Sequence, residues 1–344
     1  MKVKTKLFGH THNGHEVQLF TFDAAMGLSI SISNFGGIIT SVKAPDRLGN
    51  TEEITAGFDN LEQYLKGHPH FGVIVGRFAN RIAKGKFSID GVEYTLPINN
   101  GPNHLHGGNN GFHSKLWSYA LESDEAKAIL TLSCISHDME EGYPGNLKVT
   151  VKYTVYNNNT LDIEFFANTD APTHVNLTSH GYFNLSGFRE DVCSHELQLN
   201  ASHYLEIDDA QIPTGKLVEC KNTYFDFSQP RPLGPSIRGI EGGIDHCFAL
   251  NKPNINTRAA VLTHPASGRR LSLYCTQPGV QVYTGNSLDG NHTGHNGTTY
   301  NNNWAVCLEM QHFPDTPNQP HFPSTLLKPG EEYYQQARFT FDTI

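Results

Sequence analysis

A few short segments of this chain carry side chains that could move protons or hold hydroxyl groups. In Asn176-Leu-Thr-Ser-His180-Gly-Tyr182-Phe183-Asn184-Leu185 an imidazole sits among hydroxyls and amides and is followed directly by strand-like aromatics. A lone strand histidine is more often a hydrogen-bonded core residue than a proton carrier, so its meaning depends on its company. That company includes Leu308-Glu309-Met-Gln311, where a carboxylate follows the apolar run Trp304-Ala-Val-Cys-Leu308. Glu309 would serve as an ordinary ion-pair partner on a surface. Approached through apolar residues, it has the setting of a general base, because burial brings a carboxyl pKa nearer neutrality. Gly76-Arg77-Phe-Ala-Asn80-Arg81-Ile82 adds two guanidinium forks and an amide. Such planar five-donor groups grasp vicinal hydroxyls or carboxylates, although Arg77 suits a structural role equally well. Asp245 in Ile244-Asp-His and Gln281 in Gly279-Val-Gln-Val-Tyr contribute an acceptor and an amide beside strand residues. Together these groups match what a polyhydroxylated small molecule requires.

Nineteen histidines raise the question of metal. On an extended segment, His104-x-His106 would present both rings to one side at a true ligand spacing. It is flanked by Asn100-Gly-Pro-Asn103 and Gly107-Gly108, which mark a loop, and no closed ligand set accompanies it, so no metal is expected. His10, His12, His15, His68 and His70 are expected in solvated loops. The six cysteines form no Cys-x-x-Cys pair and read as reduced, mostly buried thiols.

The elements that must position these groups are strands. Leu28, Ile30 and Ile32 alternate with serines, and Leu147 to Val155 alternates with Lys and Thr, giving each run one face for a core and one for water. Asp90-Gly91 and Asn157-Asn-Asn159 separate such runs as hairpin turns. One short helix is expected at Asn60 to Leu65, capped by Asn60. With 32 Gly, 18 Pro and 17% charged residues the composition excludes a coiled coil, and 10% aromatics exclude a disordered chain. No linker or charge shift divides residues 1–344, which predicts a single all-β domain, a large antiparallel β-sandwich. The Asn-rich stretch Asn286 to Asn303 reads as a long surface loop of little core value, bordering the site. A net charge of −9 repels nucleic acid. No apolar run approaches the ~20 residues of a membrane span, and Met1 to His15 has no signal-peptide block, so a cytoplasmic chain is expected.

Asn80-Arg81-Ile, Asn103-x-Leu-His106-Gly-Gly, His180-x-Tyr-Phe-Asn-Leu, Ile212-Pro-Thr-Gly215, Asp245-His, Gln281 in Gly-Val-Gln-Val-Tyr-Thr-Gly, and Leu-Glu309 followed by Pro-Asp315 resemble, in order, the aldose 1-epimerase family. The resemblance spans residues 76 to 315. It implies the supersandwich form of the β-sandwich and the interconversion of α and β anomers of free aldoses such as galactose and glucose. It also implies no cofactor, an aldose as the partner, and a monomer or weak homodimer. By position it makes Glu309 the general base, His180 the general acid and His106 a second histidine near the ring oxygen. Asn80, Arg81, Asp245 and Gln281 fall where sugar hydroxyls are held. Gly181 and Met310 depart from the usual residues. For opening of the sugar ring, Glu309 is expected to start ionised and His180 protonated, with Asp245 or Glu309 favouring the imidazolium. A hexose 6-phosphate epimerase, needing a further basic cluster, and a non-catalytic sugar binder are the alternatives.

Overall fold

The computed structural model describes all residues, 1–344, and is built almost wholly of antiparallel strands. The first sheet is a five-stranded meander running from Lys2–His10 to Thr51–Glu53. A nine-stranded sheet includes the long hairpin Leu147–Tyr156 and Thr160–Thr169, beside which the terminal strand Tyr333–Thr343 pairs. A six-stranded sheet follows the spatial order Tyr182–Phe183, Val306–Gln311, Gly279–Tyr283, Asp245–Leu250, Ala201–Ile207 and Pro213–Glu219. The all-β sandwich, both turn assignments and the Asn60-capped helix at Leu61–Leu65 agree with the sequence reading.

A core of 55 buried residues draws on all three sheets, from Phe20 to Phe341. Strand alternation decides what enters it. Val306, Leu308 and Met310 point into this core, so Cys307, Glu309 and Gln311 lie on the opposite face of their strand. Val280 and Val282 do the same for Gln281, and Phe248 lies in the core while Cys247 does not. One face of the six-stranded sheet is thereby apolar and sealed, and the other carries the polar candidates. Met310, a departure from the family pattern, lies on the core face and accepts a bond from the Thr178 hydroxyl at 3.2 Å.

The Asn286 to Asn303 stretch is a correction. Leu288 and Tyr300 are buried in a second apolar cluster, and the Tyr300 hydroxyl donates to Gly57 O at 2.9 Å. His295 bridges Asp59 and Thr40 O at 2.7 Å each. The polar composition hid these anchors because they recur at no regular period. No helix is long and apolar enough to cross a membrane.

Arg269, 1% exposed, ties the first sheet to the rest of the sandwich. Its guanidinium donates to Ala44 O, Leu185 O and Asn50 O and meets the Glu52 carboxylate at 2.7 Å. Removing it would take one donor each from three carbonyls and a carboxylate, although Asn50 O, Leu185 O and Glu52 keep bonds from the Asp46 N–H, the Ser267 hydroxyl and Arg189. Arg269→Ala is therefore expected to cost about 1.5 to 3 kcal/mol, the range for hydrogen bonds made by a buried charged group. Urea unfolding should show a lower midpoint at an unchanged slope; an unshifted midpoint would contradict the assignment.

Candidate active site

The strand registers bring Asp245, Gln281 and Glu309 onto one patch. Gln281 faces Glu309 across one strand pair and Cys247 across the other, which puts Asp245 diagonal to Gln281. The Gln281 amide donates to Asp245 Oδ1 at 2.6 Å. His180 comes from the neighbouring edge. Thr178–Ser179 pairs with Ile74–Val75, and the His180 N–H donates to Val73 O at 2.9 Å before the chain enters Tyr182–Phe183. His180 Nε2 then lies 3.5 Å from Glu309 Oε2, with both side chains buried.

His106 and Asn80 are locked together. The strand Arg81–Ile82 pairs with His104–Leu105, and Asn80 and His106 both turn left-handed immediately beyond it, at φ 64° and 53°. The Asn80 N–H donates to His106 Nδ1 and the His106 N–H to Asn80 O, each at 3.1 Å. The left-handed turn also ends strand alternation, so His104 and His106 do not share a side. His104 instead bonds Pro97 O and the Tyr143 hydroxyl at 2.8 Å each. Asp315 fastens this unit to the end of the Glu309 strand: its N–H donates to Arg81 O, and its carboxylate accepts from the Ala83 N–H.

Of the two arginines, Arg77 is structural. It is buried and donates to Ser136 Oγ, Ser136 O, His137 O and Pro144 O. Arg81 lines the cavity, donating to Asn100 Oδ1 and Gln211 Oε1. The cavity holds about 320 Å³ and is walled by Asn80, Arg81, His106, His180, Asp245 and Glu309 among others, with Gln281 immediately behind. Roomier grooves of about 610 and 750 Å³ lie elsewhere and gather none of these residues.

Three buried atoms at the site have no hydrogen-bond partner: His180 Nδ1, Gln281 Oε1 and Glu309 Oε2. Buried polar atoms are normally paired, so a cluster of orphans marks where a ligand's hydroxyls would bond. The charge states differ from the expected ones. Burial pushes the His180 imidazole down to about 3. Burial, helped by the negative Asp245, pushes Glu309 well above the usual carboxylate range, against a smaller opposite pull from Arg81. Both directions put the proton of the pair on Glu309, because burial of both side chains disfavours a separated charge.

His106, His180 and Glu309 offer ligand atoms within 4.8 Å of one another, a grouping that could suggest a metal site. The donor chemistry opposes it. With Nδ1 accepting from Asn80, neutral His106 carries its proton on Nε2 and presents a donor where a metal needs a lone pair.

Several wall residues carried no signal of spacing or type: His70, Asn100, Gln211, Tyr283 and Ser287. His70 corrects the expectation of a solvated loop. Gln211 sits at the tip of the hairpin joining Ala201–Ile207 to Pro213–Glu219, and its amide bridges Arg81 and Asp245. The neighbouring Ile212-Pro-Thr-Gly215 motif was its nearest sequence clue.

Comparison with known proteins agrees with this picture. The family model described as aldose 1-epimerase matches residues 18–340. Galactose mutarotase of Homo sapiens is 43% identical over 342 residues, covering 98% of each chain. That of Sus scrofa is 44% identical over 316 residues, 91% of each. Aldose 1-epimerase of Escherichia coli K12 is 33% identical over 96% of each. Among solved structures, the aldose epimerase homologue from C. elegans superposes with a TM-score of 0.87 at 31% identity, over 94% of this chain and 98% of that one. Galactose 1-epimerase from Lactobacillus acidophilus gives 0.87 at 28% identity, over 99% of each. With likeness running nearly end to end in both sequence and fold, the chain belongs to the aldose 1-epimerase family.

Proposed function

We propose that this chain is a cofactor-independent mutarotase, an isomerase that interconverts the α and β anomers of free aldohexoses such as galactose and glucose. The family supports the reaction. The observation that carries the residue assignments is the buried Glu309–His180 pair at 3.5 Å. A hemiacetal opens when one proton leaves the anomeric hydroxyl, the bond between carbon 1 and the ring oxygen breaks, and another proton reaches that oxygen. Glu309 takes the first proton and His180 gives the second. After rotation about the bond between carbons 1 and 2, the ring hydroxyl attacks the other face of the aldehyde. His180 recovers its proton and Glu309 returns its own to the carbonyl oxygen, so no proton is gained or lost.

The working form is ionised Glu309 with protonated His180, which holds as many protons as the neutral pair that burial favours. A single transfer across 3.5 Å interconverts them. Sugar hydroxyls bonding to the orphaned Glu309 Oε2 would stabilise the carboxylate and drive that transfer. His106 is unsuited to be the acid, since a second proton on Nδ1 would evict the Asn80 N–H. Its Nε2–H instead donates to the ring oxygen as charge develops there. Arg81, Asn80, Asp245 and Gln281 hold the remaining hydroxyls. Gln281 already donates to Asp245, leaving its carbonyl oxygen to accept from the sugar.

A hexose 6-phosphate is a poorer fit. Arg81 is the sole Lys or Arg of the wall, and Gln211, Asn100 and the nearby Asp245 already engage it. We further propose that residues 1–344 act as one unit, a monomer or weak homodimer. Six free thiols favour a reducing cytoplasm.

In polarimetry on freshly dissolved α-galactose, Glu309→Gln and His180→Asn are each expected to lower kcat by about 10²- to 10⁴-fold, with KM changed far less. Wild-type turnover in either variant would remove that residue from the proton path. Glucose should be a substrate and glucose 6-phosphate should not; the reverse preference would overturn the free-sugar reading. The pH profile follows from the two shifts. His180 is depressed to about 3 and gains a second proton only in acid, while Glu309 is raised and keeps its proton well above the usual carboxylate range. The singly protonated pair therefore persists between those two limits, and kcat/KM should show no loss as the pH falls through the ordinary imidazole range. An acid limb centred near the free imidazole value of about 6.5 would refute the shared proton.

A further inference from the structure

The ring of His70 makes no hydrogen bond within the protein and takes no part in the proton transfers above. Its neighbour His68 is structural, since Nδ1 accepts from the Phe71 N–H at 2.9 Å and the ring stacks on Phe71 and meets Tyr64 edge-on. His70 packs instead against other imidazoles, His106, His113 and His180. Neither of its ring nitrogens meets a protein hydrogen-bond partner, yet the ring lines the cavity. Its backbone is left-handed, φ 61°, a conformation that residues with a Cβ disfavour and that is retained where something is gained by it.

The position of the ring is fixed by the same bonds that fix His180. The Gly72 N–H donates to His180 O at 3.0 Å, the His180 N–H to Val73 O at 2.9 Å, and the Tyr182 hydroxyl to Pro69 O at 2.6 Å. His70 consequently lies nearly parallel to His180, with ring centroids 6.0 Å apart and planes 16° apart, and 4.9 Å from His106. It stands beside the two imidazoles assigned to the ring oxygen and takes no part in the hydrogen bonds of the Arg81–Gln211–Asp245 bridge.

Resting on the mutarotase reading, we propose that His70 is a third, substrate-contacting imidazole that binds the hydroxymethyl group of the hexose. The ring oxygen has two neighbours, carbons 1 and 5. The hydroxyl on carbon 1 belongs to Glu309, so the hydroxyl left within reach of a group beside His106 and His180 is the one borne by the substituent of carbon 5. A neutral imidazole offers one donor and one acceptor and can bond that hydroxyl in either sense. Burial, together with the neighbouring imidazoles, keeps His70 neutral.

The test is mutarotation of galactose and of 6-deoxygalactose by wild type, His70→Phe and His70→Gln. Phenylalanine keeps the flat ring and removes the hydrogen bond; glutamine keeps an amide donor and acceptor. For galactose, His70→Phe should raise KM about three- to tenfold, the worth of one neutral hydrogen bond, with a smaller change in kcat. His70→Gln should recover part of the loss. On 6-deoxygalactose the penalty of His70→Phe should vanish, because the hydroxyl it would miss is already gone. An equal rise in KM on both sugars, or no rise on either, would overturn the assignment and leave His70 as cavity wall. Wild-type protein that fails to mutarotate galactose would instead overturn the functional reading.

Discussion

A carboxyl and an imidazole held 3.5 Å apart and shut away from water can share one proton, but they tolerate neither none nor two. With none, the buried Glu309 carboxylate would face the half-buried carboxylate of Asp245; with two, a desolvated imidazolium would stand beside further imidazoles. Burial thus fixes the number of protons while leaving their position free. A reaction that takes a proton from one oxygen and gives one to its neighbour needs that arrangement, and then needs its reverse. The remaining architecture can be understood as the means of drying this pair and keeping both faces of one carbon–oxygen bond within its reach.

Drying comes from sheet alternation. The core that swallows Val306, Leu308, Met310, Val280 and Val282 fixes the orientation of Glu309 and Gln281, and Gln281 is held further by its bond to Asp245. They are held from behind, and their outward atoms stay unpaired. His106 is controlled differently, by the reciprocal bonds with Asn80 that set its tautomer as well as its angle. An acid–base pair with a movable proton and a donor with a fixed one are therefore produced by two different structural devices, side by side.

Much of this was legible in the sequence. Alternating apolar residues announced the strands and the hairpins, and the apolar run before Glu309 foretold a buried carboxylate with its face set by the register. Local pattern could not separate Arg77 from Arg81. The partners of Arg77, Ser136, His137 and Pro144, lie about 60 residues away and form no motif with it. The charge states were also beyond reach. Desolvation depends on what covers a group, and the cover over His180 comes not only from nearby Tyr182 but from His70 and His106 in separate segments. Tyr300 was missed because one aromatic in an Asn-rich loop has no period to reveal its inward direction.

Four residues of the wall share a physical property that local pattern does not reveal. His70, Asn80, His106 and Gln211 all line the cavity, and all have left-handed backbones, between φ 53° and 64°. For residues other than glycine this costs on the order of 1 kcal/mol each, and asparagine alone among them tolerates it readily. Propensity and periodicity describe what a segment prefers, so they fail where it is held against preference by its surroundings. Here the holding is visible: Asn80 and His106 bond each other, Gln211 grips Arg81, and the His70 loop is bonded to the His180 strand. Strain gathered in the wall makes mechanical sense for a substrate whose carbon 1 must turn over in place. A wall built from turns held by long-range bonds can grip the distal hydroxyls firmly, so that the rotating carbonyl moves against a fixed acid–base pair while the rest of the sugar stays still.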